Sequence, residues 1–361
     1  MNYKNMTYWE KLRDDPRPKV LYGTGNGADK IIDAFEKYGV KIDGVFASNG
    51  FVRNRTFRDM PVLSYDAAVE QFGADMVILP AFGTTLPEVM DFFKKLDTEH
   101  DVIIPEVPLY GGGIFDTDYL IDNKEKLEQV YSMLSDDVSR EIFSNVIKFR
   151  MTGKLEYLYP CESMRETLSG IPGMDKVKTA LDGGAYKGDS ASDMLASLPN
   201  VEKIIACEPD PSTFKKLEAF AVSEETAGKV IPVETALSDK VGKTESIVSG
   251  SRGSGIEGRN KRAKVKEINL NTIDSILSGE GIDYIKLDVE GFELETIRGA
   301  AETLTHFKPI VSVSLYHRTG DILLLPMLLS EMLGECKMYL RRPECIPMWD
   351  LNLYVVPTCR N

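Results

Sequence analysis

The 361-residue chain has no long apolar run, no paired cysteine motif and a deficit of basic residues, and each shortage closes off a class of protein. No stretch approaches the roughly 18–20 apolar residues of a membrane span. The start, "MNYKNMTYWEKLRDD", lacks the apolar core of a signal peptide, so a cytoplasmic protein without a membrane span is expected. Cys161, Cys207, Cys336, Cys345 and Cys359 are scattered and odd in number, which suits reduced thiols rather than a disulfide framework or zinc site. Lysine and arginine total 43 against 56 acidic residues, a formal charge of −13, and that balance argues against a nucleic-acid partner. Histidine is scarce too: His100, His306 and His317 are the three present.

What remains is the composition of an ordinary globular protein, with 43% hydrophobic and 27% charged residues, and a length that favours two domains. Over residues 18–108, short apolar strands alternate with amphipathic helices, as in "KVLYGTG", "ADKIIDAFEKYG", "IDGVFAS", "SYDAAVEQFG", "ADMVILPAF", "LPEVMDFFKKL" and "DVIIPEV". That alternation predicts a parallel sheet covered by helices, a Rossmann-like accessory domain over 1–116. Residues 117–172 show no strand signal and read as a helical connector. Its core face would be Leu127, Val130, Tyr131, Leu134, Ile142, Phe143, Val146 and Ile147, with Ser135 to Asp137 capping a second helix. The strand–helix alternation resumes over 173–361 with five strand–helix units. Two further strands, "CKMYLRR" and "LNLYVVP", follow with only a short connection and should form an antiparallel hairpin.

Two glycine loops compete for a nucleotide-type ligand. Gly23, Gly25 and Ala28 follow a strand and open a helix as G-x-G-x-x-A, which suits a phosphate at a helix N-terminus. An NAD site also needs an acid at the end of the second strand, but that strand ends in Ala47-Ser48-Asn49 and Asp43 lies at its beginning. A different ligand, or a scaffold or oligomerisation role, stays open for this loop. The second loop, "ALDGGAYKGDS", places Asp182 at a strand end, then Gly183, Gly184, Ala185, Tyr186, Gly188 and Asp189, with helix onset near Ser190. The next strand ends in Glu208, where two ribose hydroxyls could donate to its carboxylate. Asp182 would repel a pyrophosphate but suits a ligand with an ammonium group, and S-adenosylmethionine is such a ligand.

The segments "LDGGAYKGDSA", "CEPDPSTFKKLE", "ETALSDKVG", "IDYIKLDVEGFELETIRGA" and "PIVSVSLYHRTGDI" occur in the order and spacing of FkbM-type S-adenosylmethionine-dependent methyltransferases, which residues 177–357 resemble. The resemblance implies a class I methyltransferase-like doubly wound sheet with a terminal antiparallel hairpin, and O-methylation of hydroxyls on sugars, glycans or polyketide-type products. It puts the methionine moiety on Asp182 to Tyr186, the ribose on Glu208, and the adenine near Pro209-Asp210 and Ala236-Leu237. Where the family more often has "DVGANIGD" this chain has "DGGAYKGD", so Tyr186 and Lys187 alter side chains but not the backbone cradle.

Methyl transfer to a hydroxyl requires alignment of the acceptor and removal of its proton. Asp288 and Glu290 follow the fourth strand of this half and His317 follows the fifth, which makes His317 the expected base beside two carboxylates. The same three residues have the ligand types of a divalent-metal site. A plainer role has Glu290 capping the next helix and Asp288 orienting the methionine ammonium. Arg252, Arg259, Lys261, Arg262 and Lys264 lie in "SGSRGSGIEGRNKRAK", which would serve as a solvated loop or as a lid for an anionic acceptor. The leading expectation is therefore a methyltransferase acting on a small-molecule or glycan hydroxyl, with a homo-oligomer left open. The alternative is a nucleotide-binding regulatory protein or NAD-dependent oxidoreductase that uses the first loop.

Overall fold

The computed structural model describes residues 7–48, 52, 55–248 and 264–360. The basic stretch with Arg252, Arg259, Lys261 and Arg262 lies outside the described residues, as does Asn49. Six strands form the first sheet: β1 (Lys19–Tyr22), β2 (Gly44–Phe46), β3 (Thr56–Phe57), β4 (Met60–Leu63), β5 (Val77–Pro80) and β6 (Asp101–Val102), in the order β3-β4-β2-β1-β5-β6. All neighbours pair in parallel except β3 and β4. β1 and β5 are buried along their whole length, as apolar runs at the middle of a helix-covered sheet must be. The alternation in the sequence anticipates β1, β2, β5 and β6 and their helices, but not the short β3–β4 pair.

The connector is helical as expected. Asp136 caps the helix Asp137–Thr152 by accepting from the Ser139 N–H at 2.8 Å, and Gly153 ends it in a left-handed conformation. Leu127, Val130, Leu134, Ile142, Phe143 and Val146 are buried, whereas Tyr131, expected on the same stripe, is exposed.

The second half opens with β7 (Thr179–Gly183), β8 (Lys203–Cys207) and β9 (Val230–Val233). A three-stranded side sheet follows, β10 (Ala236–Leu237), β11 (Gly242–Val248) and β12 (Lys264–Asn271), which the sequence pattern does not signal. Then come β13 (Tyr284–Leu287), β14 (Ile310–Ser314), β15 (Cys336–Arg341) and β16 (Asn352–Pro357). The main sheet runs β15-β16-β14-β13-β7-β8-β9, parallel except for β16, which is antiparallel to both neighbours. This is the class I methyltransferase arrangement with its terminal antiparallel hairpin. The chain reverses direction of travel between β7 and β13, and such a switch point opens a crevice at the carboxyl ends of the strands. One buried apolar cluster runs from Val20 and Tyr22 through Val130 and Phe149 to Leu287 and Val355, so both sheets and the connector share a core.

Candidate active site

The loop after β7 lies at that switch point. Gly184 has φ +78°, and a Cβ there would overlap the backbone oxygen of Asp288, so only glycine lets the loop pass this close to β13. The N–H groups of Gly184 and Ala185 both donate to the Cys207 carbonyl, at 3.1 and 3.0 Å, which ties the loop to the end of β8. Gly188, also at positive φ, begins the helix Asp189–Ser197. Leu237 lies under Gly183, 2.8 Å from where a Cβ would sit, and Ala236 precedes it on β10.

Glu208 accepts from the backbone N–H groups of Tyr186 and Asp210, at 3.1 and 2.8 Å. Burial outweighs those two donors and pushes its carboxyl up to about 7. Pro209 leads into Asp210, which caps the helix Pro211–Ala221 by accepting from Ser212 and Thr213. Asp182 is wholly enclosed and bonds on two sides, to the Ser190 hydroxyl at 2.6 Å and to the Lys286 ammonium at 3.0 Å. Every loop residue expected from the sequence is thus at the carboxyl end of β7 or β8 or beside it.

The ionisable groups meet at the ends of β13 and β14. Asp288 donates its N–H to Gly183 O, and its carboxylate accepts from the Ser314 hydroxyl (3.0 Å) and the Tyr316 phenol (3.1 Å). Burial disfavours its charge, yet Lys286, His317 and those hydroxyls hold the carboxyl below its ordinary value. Glu290 adopts φ 56°, an uncommon conformation for a side-chain-bearing residue, in the turn that precedes helix Glu293–Arg298. Burial raises its carboxyl above the ordinary value.

His317 lies beneath both. Its Nδ1 pairs with Glu293 Oε1 at 2.8 Å, and Glu293 also accepts from the Val289 and Gly291 N–H groups. Among the described residues its Nε2 has no hydrogen-bond partner, and it points between Asp288 Oδ1 at 3.5 Å and Glu290 Oε2 at 3.6 Å. The exposures decide the order of approach: the side chains of Asp288 and Glu290 are 31% and 38% exposed, and His317 is 0%. Burial works against a charged ring, but Glu293, Asp288 and Glu290 overcome it and raise the imidazole to about 9. At neutral pH His317 is therefore a buried cation behind two carboxylates. Among the described residues, Asp288, Glu293 and His317 form a group whose ligand atoms lie within 4.8 Å of one another.

Three contributors escape sequence reasoning. Glu293 reads locally as a helix residue, and Lys286 as one charge within a strand. The period-two alternation does place Lys286 on the same face as Asp288, which is a usable signal. Tyr110 comes from the first half: its phenol donates to Glu290 Oε2 at 2.7 Å, its N–H donates to the His317 carbonyl at 3.1 Å, and its ring packs on Gly291. Gly111, Gly112 and Gly113 follow, all at positive φ, and Gly113 accepts from the Thr319 hydroxyl. At the other glycine loop, a Cβ on Gly23 would meet Phe82 at 2.8 Å and one on Gly27 would meet Ala81 O at 2.5 Å. Close packing accounts for those two glycines.

Residues 182–341 match the family model described as the methyltransferase FkbM domain. This part of the chain is an FkbM methyltransferase domain. The match spans both the glycine loop and the ionisable cluster, from Asp182 to beyond His317. Among solved structures, the chain is similar to a methyltransferase FkbM from Methylobacillus flagellatus KT, with 19% identity and a TM-score of 0.71. That similarity covers 98% of this chain and 93% of that one, so the shared fold includes the first sheet and connector. A precorrin-6y C5,15-methyltransferase from Geobacter metallireducens GS-15 is 13% identical at a TM-score of 0.29, over 53% of this chain and 84% of that one. Fibrillarin from Aeropyrum pernix is 13% identical at a TM-score of 0.33, over 53% and 73%. No curated protein matches the chain. Among the described residues, no helix is long and apolar enough to cross a membrane.

Proposed function

We propose that this protein transfers a methyl group from S-adenosylmethionine to a hydroxyl of a sugar, glycan or similar small molecule. The observation that carries the proposal is the pairing of a glycine loop and a ribose-competent carboxylate, Glu208, with an acceptor-facing pair of carboxylates at the next strand ends. In this reading residues 173–361 do the chemistry, 117–172 connect, and 1–116 are an accessory unit. When bound, S-adenosylmethionine supplies the methyl on a sulfonium leaving group.

The chain's own task is then to orient the acceptor and take its proton. Glu290 is the residue suited to that task, because it is half-exposed and burial has made it a stronger base than an ordinary glutamate. As the acceptor oxygen bonds to the methyl carbon and the methyl–sulfur bond breaks with its electrons going to sulfur, the hydroxyl's hydrogen passes to Glu290. His317, fixed by Glu293, offsets the charge of the two carboxylates before the transfer instead of acting as the base. Glu290→Gln should lower turnover by two orders of magnitude or more with unchanged S-adenosylhomocysteine affinity; retained turnover would remove Glu290 from the chemistry.

One observation favours a second reading, in which Asp288, Glu290 and His317 hold a divalent metal. Among the described residues Nε2 lacks a partner and faces two carboxylates, while Nδ1 rests on a third, and a metal-bound histidine is commonly held by such a carboxylate on its other ring nitrogen. Calorimetric titration with Mn2+ tests it directly, and no heat of binding would dispose of it.

A further inference from the structure

The buried pair Asp182–Lys286 gives the cofactor crevice a recognition group that the loop sequence alone does not suggest. β7 and β13 are neighbours in register, with Lys286 directly opposite Asp182. The two side chains meet at 3.0 Å, and the ammonium also reaches the Gly184 carbonyl at 3.4 Å, on the loop itself. Asp182 is 0% exposed, with its second oxygen taken by Ser190, whereas Lys286 keeps 12% of its side chain accessible. A lysine ammonium has three N–H donors, and two are spent here. The Asp182 carboxylate directly opposite is the counter-charge to that ammonium. The member of the pair that meets a ligand is therefore the cation.

We infer that Lys286 binds the α-carboxylate of the amino-acid end of the methyl donor, and that Asp182 acts through Lys286 by fixing its position. The inference rests on the donor being S-adenosylmethionine, as proposed above. It reverses the simpler expectation that the Asp182 carboxylate meets the α-ammonium directly. A charge-assisted hydrogen bond to a carboxylate is among the stronger polar contacts, so its loss is readable in a binding assay.

Calorimetry with two probes separates the possibilities. S-adenosylhomocysteine carries the amino-acid end, and 5′-methylthioadenosine shares the nucleoside but lacks that end. Lys286→Met should weaken S-adenosylhomocysteine by about tenfold or more, with methylthioadenosine affinity unchanged within about twofold. Asp182→Asn, which leaves the ammonium in place but loosens its anchor, should weaken S-adenosylhomocysteine by less than Lys286→Met does and leave methylthioadenosine affinity unchanged. Because Lys286→Met strands a buried carboxylate, the variant Asp182→Asn/Lys286→Met removes both charges and should show the same selective loss if the single variant does not fold. Equal loss of both probes, or loss of S-adenosylhomocysteine in Asp182→Asn but not in Lys286→Met, overturns the assignment. If the unaltered protein binds neither probe, the donor itself is misassigned, and that result is distinct from either variant outcome.

Discussion

Glu208 stands at the ribose end of the proposed donor site with its carboxyl pushed up to about 7, so donor affinity should rise with pH through the neutral range. The cause is burial, against which the Tyr186 and Asp210 N–H groups compensate only in part. Two vicinal ribose hydroxyls need an ionised acceptor, so binding selects the deprotonated form. With a free-protein value near 7, about one molecule in ten is competent at pH 6 and nearly all are at pH 8. S-adenosylhomocysteine should bind about tenfold more tightly at pH 8 than at pH 6, and calorimetry at pH 7 should show about half a proton released per site.

The same shift bears on stability. A carboxyl raised from its ordinary 4.5 to about 7 helps the free fold most below pH 4.5 and loses that contribution, of about 3 kcal/mol, as pH rises through 7. Ligand should therefore stabilise the protein more at pH 8 than at pH 6. Glu208→Gln should bind weakly and without pH dependence. A flat affinity from pH 6 to 8 in the unaltered protein, or the same slope in Glu208→Gln, would mean that Glu208 does not hold the ribose.

Gly184→Ala places a methyl group against the Asp288 carbonyl at a φ of +78°, so thermal unfolding should show a loss of about 2 kcal/mol or more and collapse of donor binding; a neutral variant would mean the loop has room it does not show. Tyr110→Phe keeps the ring on Gly291 but removes the hydrogen bond to Glu290, and should lower turnover with S-adenosylhomocysteine affinity unchanged. Its effect should vanish in a Glu290→Gln background, whereas an additive loss would show that Tyr110 acts elsewhere.

Much of this was legible in the residues. Buried parallel strands such as "KVLY" and "VILP" announce themselves as apolar runs, and the short "RPECIPMWD" connection predicts the hairpin of β15 and β16. The side sheet was not, because β11 and β12 carry alternating charges like those of a solvated loop and frame the basic stretch. Asp182, Glu208, Asp288, Glu290 and His317 could be assigned to strand ends because strand ends can be placed locally. Their partners depend on which strands become neighbours: Lys286 meets Asp182 across 104 residues and Tyr110 meets Glu290 across 180. The surroundings of His317 are equally non-local: Glu293, Asp288 and Glu290 enclose it and raise its imidazole to about 9.

On the proposed function, the adenosyl donor belongs to the loop after β7 and not to the glycine loop after β1. Thermal unfolding of the unaltered protein and of Glu208→Gln, each with S-adenosylhomocysteine and with NAD, tests it most directly. The melting temperature should rise with the concentration of S-adenosylhomocysteine alone, in proportion to ln(1 + [L]/Kd), and that rise should be lost in Glu208→Gln. Stabilisation by NAD alone, unaffected by the Glu208 substitution, would contradict it.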